Sequence, residues 1–117
     1  MINWQHLTEG SQVQELNDAS FQQPILIYKH STRCSISSMV LNRLERAWEP
    51  EAMVELRTYF LDLITYRDIS NELADLYGIS HESPQVMLIS EGQCKHDSSH
   101  NGINYLRLKD MLQSIYY

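Results

Sequence analysis

The fold is decided by the stretch Pro24-Ile25-Leu26-Ile27-Tyr28-Lys29-His30-Ser31-Thr32-Arg33-Cys34-Ser35-Ile36-Ser37. Its first part is β-branched and aromatic, and Pro24 is tolerated there because a proline can open a strand. Further on, apolar residues recur at helical spacing until Pro50, namely Ile36, Met39, Val40, Leu44 and Ala47. The stretch therefore predicts a central strand followed by an amphipathic helix, with Cys34 at the junction between them.

Similar patterns predict two more helices and a second strand. Ser11 and Gln14 have the spacing of a capping box at the start of a helix within the first twenty residues. Residues 58–63 are almost continuously apolar, which is typical of a strand that is covered on both faces. A helical stripe then ends before Gly78, a suitable left-handed C-terminal cap, and its apolar members are Ile69, Leu73, Leu76 and Tyr77.

The last third of the chain predicts a hairpin and a closing helix. Residues 85–89 form an apolar run after Pro84, and a Ser-Glu-Gly turn separates them from a short strand at 93–96. One helical face follows the Asn101-Gly102 break, and it consists of Tyr105, Leu108, Leu112 and Ile115. The resulting order combines a right-handed parallel crossover with an antiparallel hairpin, which fits several layered α/β folds.

Composition limits the class of protein. A chain of 117 residues with 43% hydrophobic content suits one domain, predicted to span residues 1–117. Fifteen acidic and nine basic residues give a net charge of −6 without a basic block, so we expect no nucleic-acid partner. The first residues do not resemble a signal peptide, and no run approaches the ~18 apolar residues of a membrane span. We therefore expect a cytoplasmic protein without a membrane partner.

Cys34 is the candidate nucleophile, although a cysteine on an apolar helix is commonly a small buried hydrophobe. At a helix start its sulfur can face unpaired N–H groups and the positive end of the helix dipole, which favour the thiolate. Arg33 and Lys29 would act in the same direction if their charges lay near the sulfur.

Dithiol oxidoreductases have a second cysteine three positions after the nucleophile, where this chain has Ser37. A hydroxyl can donate a hydrogen bond to a thiolate but cannot displace sulfur, so an outside thiol must resolve any mixed disulfide. Capping of the helix explains Ser35 and Ser37 equally well.

The sequence resembles the thioredoxin superfamily and, more closely, its monothiol bacilliredoxin-like branch. The resemblance rests on residues 28–37, on residues 77–79 and 81–85, and on the Glu91-Gly92 turn with Ser99-His100. It implies an α/β thioredoxin-like fold, with a central mixed four-stranded sheet flanked by helices. It also implies a catalytic set of Cys34, Ser37 and Pro84, and a substrate-binding set of Arg33, Ser35 and Ser83. Pro84 would be a cis-proline that, with the backbone of Ser83, shapes a groove for an extended partner segment.

The reaction implied by the resemblance is thiol-disulfide exchange. The Cys34 thiolate would attack a protein–bacillithiol mixed disulfide, release the protein thiol and carry the small thiol until another thiol removes it. The implied partners are S-thiolated client proteins and a bacillithiol-like co-substrate, with no bound cofactor or metal, in a monomer or weak dimer. The chain departs from the family at Ser35, where a proline is frequent. It also has Tyr28 where many dithiol thioredoxins have a buried aspartate.

Several alternatives remain open. Cys94, His96 and His100 could be interpreted as a metal site, although a half-buried strand cysteine with surface histidines is the simpler interpretation. Cys94 could also be a resolving thiol, but its hairpin is expected to lie away from Cys34. His30 and His81 could influence Cys34, or could simply be solvated loop histidines. At the level of function, the alternatives are a non-catalytic binding or adaptor module and an iron-sulfur carrier of the monothiol glutaredoxin type.

Overall fold

The computed structural model describes residues 2–116, and a mixed sheet with four α-helices accounts for most of them. In chain order the elements are β1 (Gln5–His6), α1 (Ser11–Ala19), β2 (Ile25–His30), α2 (Ser35–Ala47), β3 (Arg57–Asp62), α3 (Arg67–Tyr77), β4 (Gln85–Ser90), β5 (Gln93–Ser99), a 3-10 turn (His100–Gly102) and α4 (Tyr105–Tyr116). This order confirms the predicted α/β architecture. The extent of the domain, residues 1–117, stays a prediction.

The strand order in the sheet is β1-β3-β2-β4-β5. Strands β1, β3 and β2 are parallel, whereas β4 is antiparallel to β2 and to β5. Strand β2 is therefore central, as its sequence predicts, and the hairpin of β4 and β5 is confirmed. The sheet has five strands instead of the four expected, because β1 contributes only two exposed residues and gives no alternating pattern to detect.

The two faces of the sheet are covered by different pairs of helices. Successive strand residues point to opposite faces. On one face, Leu26 and Tyr28 of β2 belong to the same core as apolar residues of α2 and α4. On the other face, Ile25 and Ile27 pack with residues of α1 and α3. Every residue of β2 and β4 is buried, so the junction that follows β2 is supported by packed layers on both sides.

Details of two helix and strand ends differ from the sequence predictions. The capping box of Ser11 and Gln14 is wrong, because Gly10 is the N-cap and Ser11 is already helical. The side chain of Gln12 accepts the N–H groups of Thr8 and Glu9 instead. Strand β5 extends to Ser99 and is longer than predicted. The left-handed Gly78 is confirmed, with φ of 66° at the end of α3.

The apolar stripe of α2 is only partly a core stripe. Val40 and Leu44 are buried, but Ile36 and Met39 are 42% and 51% exposed. The buried line of the helix begins at Ser37, which shares the helical face of Val40 and Leu44 at three- and four-residue spacing. The two exposed side chains therefore lie on the surface near the start of α2. None of the helices in residues 2–116 is long and apolar enough to cross a membrane.

Candidate active site

Cys34 occupies the N-cap position of α2, directly after the turn that leaves β2. Its backbone is extended, with φ of −111° and ψ of 113°, and its thiol is free and half-buried. Its N–H donates to the Ser31 carbonyl oxygen at 3.2 Å, and its own carbonyl accepts the Ser38 N–H at 3.3 Å. No side chain among residues 2–116 caps this helix start, and its first turn contains no acidic residue. Cys34 is therefore the N-cap residue of α2, but within the described part of the chain its sulfur accepts no hydrogen bond from the helix start.

Ser37, three residues after Cys34, is the position that the family resemblance aligns with a resolving cysteine, and its hydroxyl group faces the sheet. The side chain is fully buried, and Oγ lies 2.7 Å from His30 Nδ1. The same oxygen accepts the Ser31 N–H at 3.2 Å. Within the described part of the chain, no hydrogen bond joins Ser37 Oγ to Cys34 Sγ.

His30 is not the solvated loop histidine that the simpler interpretation expected. It is the last residue of β2, it is 8% exposed, and its ring lies 5.3 Å from that of Phe60. Burial lowers the pKa of His30 below 6.5, while the carboxylate of Asp62, its neighbour on β3, acts in the opposite direction. The imidazole is therefore neutral near pH 7. Extending the alternation of Tyr28 along β2 to residue 30 could have predicted this burial.

Tyr28 is a buried, neutral phenol on the central strand β2. Burial raises the pKa of Tyr28 to about 12, and the nearby Cys34 sulfur also acts in that direction. The hydroxyl group donates to the Ser37 carbonyl oxygen at 2.9 Å. The ring stacks on Phe60 with 6.2 Å between centroids. Tyr28 therefore joins the central strand to the first turn of α2.

Pro84 lies beside the end of β2. The Ser83–Pro84 peptide bond is cis, and Pro84 is buried immediately before β4. Because Gln85 pairs with Lys29 in the antiparallel register, Pro84 comes next to the residues that lead to Cys34. The Pro84 carbonyl accepts the His100 N–H at 2.9 Å. The hydroxyl group of Ser83 is buried and has no hydrogen-bond partner among the described residues.

Three further basic residues were candidates for an influence on Cys34. Arg33 lies on the surface, whereas Lys29 and His81 lie on the side of the sheet that α3 covers. Arg33 is exposed, as is the substrate-binding candidate Ser35. Lys29 would favour the thiolate only if its charge lay near the sulfur, but its ammonium group donates to the Ser70 carbonyl on α3 at 3.2 Å, on the face away from α2. Burial lowers the pKa of Lys29 to about 8, and Arg67 acts in the same direction. His81 Nδ1 lies 3.1 Å from Ser70 Oγ, so His81 also belongs to the α3 side.

Cys94 lies in a setting that suppresses thiol reactivity. It is half-buried on β5, packed against the core under α1 and α3, and Sγ lies 3.4 Å from the His96 carbonyl oxygen. Burial raises the pKa of Cys94 to about 11, and the charge of Asp97 adds to this. A thiol in this environment is a poor nucleophile. Among residues 2–116, no three His, Cys, Asp or Glu side chains are grouped to hold a metal ion.

The mixed sheet, with one cysteine at the start of the helix after its central strand and a cis-proline beside that strand, defines a thioredoxin-fold protein. Residues 5–108 match the profile of the family described as "Monothiol bacilliredoxin BrxC". The chain belongs to this monothiol bacilliredoxin family. Its membership supports a thiol-disulfide oxidoreductase activity, whereas the roles of individual site residues stay predictions.

Solved structures support the fold independently. A protein described as having a thioredoxin fold is similar with a TM-score of 0.75 and 22% identity, over 91% of this chain and 90% of its own. The Malassezia sympodialis thioredoxin Mala s 13 gives a TM-score of 0.74 at 14% identity, with 96% and 90% covered. The Trypanosoma brucei brucei thioredoxin gives 0.71 at 11% identity, with 97% and 91% covered. At these identities the likeness concerns the fold alone.

Proposed function

We propose that the chain is a monothiol oxidoreductase that removes bacillithiol, or a similar small thiol, from mixed disulfides on cytoplasmic proteins. One observation carries the proposal: Cys34 stands at the N-cap of α2, and the position of a resolving thiol is occupied by the buried Ser37. Such a site can accept a thiol in a mixed disulfide but cannot release it from within. The C-x-x-S motif is thus the basis for a reaction that needs a second thiol from solution.

The exchange proceeds in two displacements. The Cys34 thiolate attacks the small-thiol sulfur of the mixed disulfide, so that a new S–S bond forms and the client leaves as a thiolate that takes a proton from water. A second small thiol, as its thiolate, then attacks the sulfur that Cys34 carries. This releases the small-thiol disulfide and restores the Cys34 thiolate. The two electrons that reduce the client come from the two small thiols, and no bound cofactor takes part.

The surface around Cys34 suits an extended protein segment. Ile36 and Met39 are exposed in the first turns of α2 and offer apolar contacts. On the other side, the backbone of Ser83 before Pro84 is the part that the family resemblance assigns to pairing with a client strand. Arg33 and Ser35 are exposed near the sulfur and are the candidates for contacts with the small thiol. We infer a monomer or weak dimer that meets its clients transiently.

Intact-mass spectrometry tests the proposal directly. The protein is exposed to oxidised bacillithiol and, separately, to oxidised glutathione, together with the matched variants Cys34→Ser and Cys94→Ser. We expect one small-thiol adduct on the wild type and on Cys94→Ser, and none on Cys34→Ser. An adduct missing from the wild type, or retained by Cys34→Ser, would overturn the proposal.

The same protein samples distinguish this function from the two alternatives, an adaptor module and an iron-sulfur carrier. An adaptor module would bind client proteins without forming an adduct. An iron-sulfur carrier purified without oxygen would be brown and would lose its colour in Cys34→Ser. The ratio of adduct formed with bacillithiol to that formed with glutathione identifies the small thiol that the site prefers.

A further inference from the structure

His100 contacts both residues that flank Ser83 in the chain. Its N–H donates to the Pro84 carbonyl oxygen at 2.9 Å, and its Nε2 lies 3.5 Å from Glu82 Oε2. A proline has no N–H group, so the backbone of Pro84 can be joined to a neighbouring strand only as an acceptor. One residue therefore holds the chain just before and just after Ser83, and this restricts the Ser83 backbone between them.

The backbone of His100 is in the left-handed region, with φ of 54°. Residues other than glycine seldom adopt this conformation, and they keep it where the surrounding structure holds them. Among residues 2–116, Glu91 is the other such residue, and it lies in the tight turn between β4 and β5, where left-handed residues are common. His100 instead follows the last residue of β5, so the chain leaves the sheet directly after the contact with Pro84.

The backbone of Ser83 is free to pair with another chain. Neither its N–H nor its carbonyl oxygen forms a hydrogen bond with another residue in the described part of the chain. The strand register joins Lys29 of β2 to Gln85 of β4, and Gln85 to Ser99 of β5. The ends of these three strands therefore lie in a row at the sheet edge where the Cys34 turn begins. An extended segment whose sulfur reaches Cys34 comes within reach of the Ser83 backbone at this edge.

We propose that His100 is a positioning residue that holds the Ser83 backbone in place for an extended segment of the client protein. The inference deepens the proposed function and rests on it, because it concerns the clients of the same exchange at Cys34. The His100 N–H provides most of the effect, since an exposed ion pair such as that with Glu82 contributes little in water. Holding the backbone in its pairing conformation lowers the ordering cost of binding a client segment. It does not change the chemistry of the sulfur.

Single-turnover exchange tests the inference with a short cysteine peptide that carries glutathione in a mixed disulfide. All proteins carry Cys94→Ser, and the release of the peptide thiol gives a maximal rate and a half-saturating concentration. His100→Pro removes the N–H and cannot adopt the left-handed backbone. We expect it to raise the half-saturating concentration between about threefold and tenfold, the effect of losing one hydrogen bond. The maximal rate, the rate with oxidised glutathione and the alkylation of Cys34 by iodoacetamide should not change.

Two further variants serve as controls. Glu91→Pro removes a matched N–H, which donates to the Ser20 carbonyl oxygen at 2.9 Å from an exposed, left-handed residue at the opposite end of the hairpin. It should leave the half-saturating concentration of the peptide unchanged. His100→Asn keeps the N–H, and asparagine tolerates the left-handed backbone, so this variant should behave as the wild type does.

The outcomes separate this inference from the proposed function. Equal half-saturating concentrations in His100→Pro and Glu91→Pro would overturn the inference alone, and so would an equal loss in His100→Asn and His100→Pro. A wild type that exchanges neither disulfide would refute the proposed function, and the inference with it. Should His100→Pro fail to fold, amide hydrogen exchange of the wild type decides. The His100 N–H should be protected in the free protein, and the Ser83 N–H only after a cysteine peptide is bound to Cys34 through a disulfide. A freely exchanging His100 N–H, or a Ser83 N–H that the peptide leaves unprotected, would contradict the inference.

Discussion

The Tyr28 hydroxyl group donates to the carbonyl oxygen of Ser37 at 2.9 Å, and both groups are buried. This contact attaches the helix that begins at Cys34 to the centre of the sheet. Tyr28 lies nine residues before Ser37. Its hydroxyl group therefore helps to hold the first turn of α2, and with it the sulfur of Cys34, in place. Removing the phenol oxygen should affect both stability and the reactivity of Cys34.

Tyr28→Phe should lower the free energy of unfolding by about 1 kcal/mol, the typical effect of losing one buried hydrogen bond. Urea denaturation measures this change. Tyr77→Phe is the matched control, because its hydroxyl group donates to Asn17 Oδ1 far from α2. Only Tyr28→Phe should alter the rate of Cys34 alkylation. Equal rates in the two variants would show that the phenol does not position the sulfur.

Ser37→Cys should convert the site into a dithiol. The N-cap and the third helical residue are neighbours, so a thiol at position 37 can attack the sulfur that carries the small thiol. We expect the small-thiol adduct to give way to a disulfide between Cys34 and the introduced thiol, which thiol counting and intact mass both detect. Ser38→Cys is the control, because that side chain is exposed and should leave the adduct intact. Persistence of the adduct in Ser37→Cys would refute the prediction.

Lys29 should make stability depend on alkaline pH. Its pKa is lowered from 10.5 to about 8 in the folded protein, so between these values the unfolded chain binds more protons than the folded one. The buried Lys29 charge therefore lowers the free energy of unfolding by its full amount below pH 8, and by progressively less as the pH rises to 10.5. Lys29→Met should increase the free energy of unfolding at pH 7 by about 1 to 3 kcal/mol. Urea denaturation should find this gain reduced at pH 10, whereas a gain that is constant with pH would contradict the assignment.

Gly92→Ala should destabilise the hairpin. Gly92 has φ of 72°, and a Cβ atom there would lie 2.8 Å from Cζ of Phe21. The left-handed backbone costs about 1 to 2 kcal/mol for alanine, and the ring must also move. Thermal unfolding should show a clear decrease in Tm, part of which Phe21→Ala restores in the double variant. Gly102→Ala is the control, since nothing lies within 4 Å of its Cβ position and it should change Tm little.

The sequence predicted best those helices and strands in which the pattern of apolar residues extends over many positions. The continuous apolar runs identified β2 and β4, and the helical stripes identified all four helices, because burial on a packed face repeats over many residues. Strand β1 was missed because two exposed residues have no period. The capping box at Ser11 was wrong because the N-cap is Gly10, and the N–H groups of Gln12 and Val13 donate to the backbone carbonyls of Glu9 and Gly10.

The site was predictable in position but not in orientation. The sequence located Cys34 at a helix start and Pro84 beside a strand. It could not reveal which face of α2 is buried, so Ile36 and Met39 were grouped with Val40 and Leu44 in one apolar stripe although they are exposed. Nor could it place Lys29 against α3, or the Ser37 hydroxyl group against His30, since both contacts depend on the strand register and on which side of the sheet each helix packs.

The contacts that hold the Cys34 turn and those that hold Pro84 differ in their separation along the sequence. Hydrogen bonds that fix the Cys34 turn join residues 28–38, all close in sequence. Pro84 is instead supported by pairing with β2 and by the His100 N–H, so its place requires long-range contacts. Local contacts close at little entropic cost and form early, whereas non-local ones form late. The Pro84 side of the candidate site therefore closes much longer loops, at a higher entropic cost, than the hydrogen bonds of the Cys34 turn do.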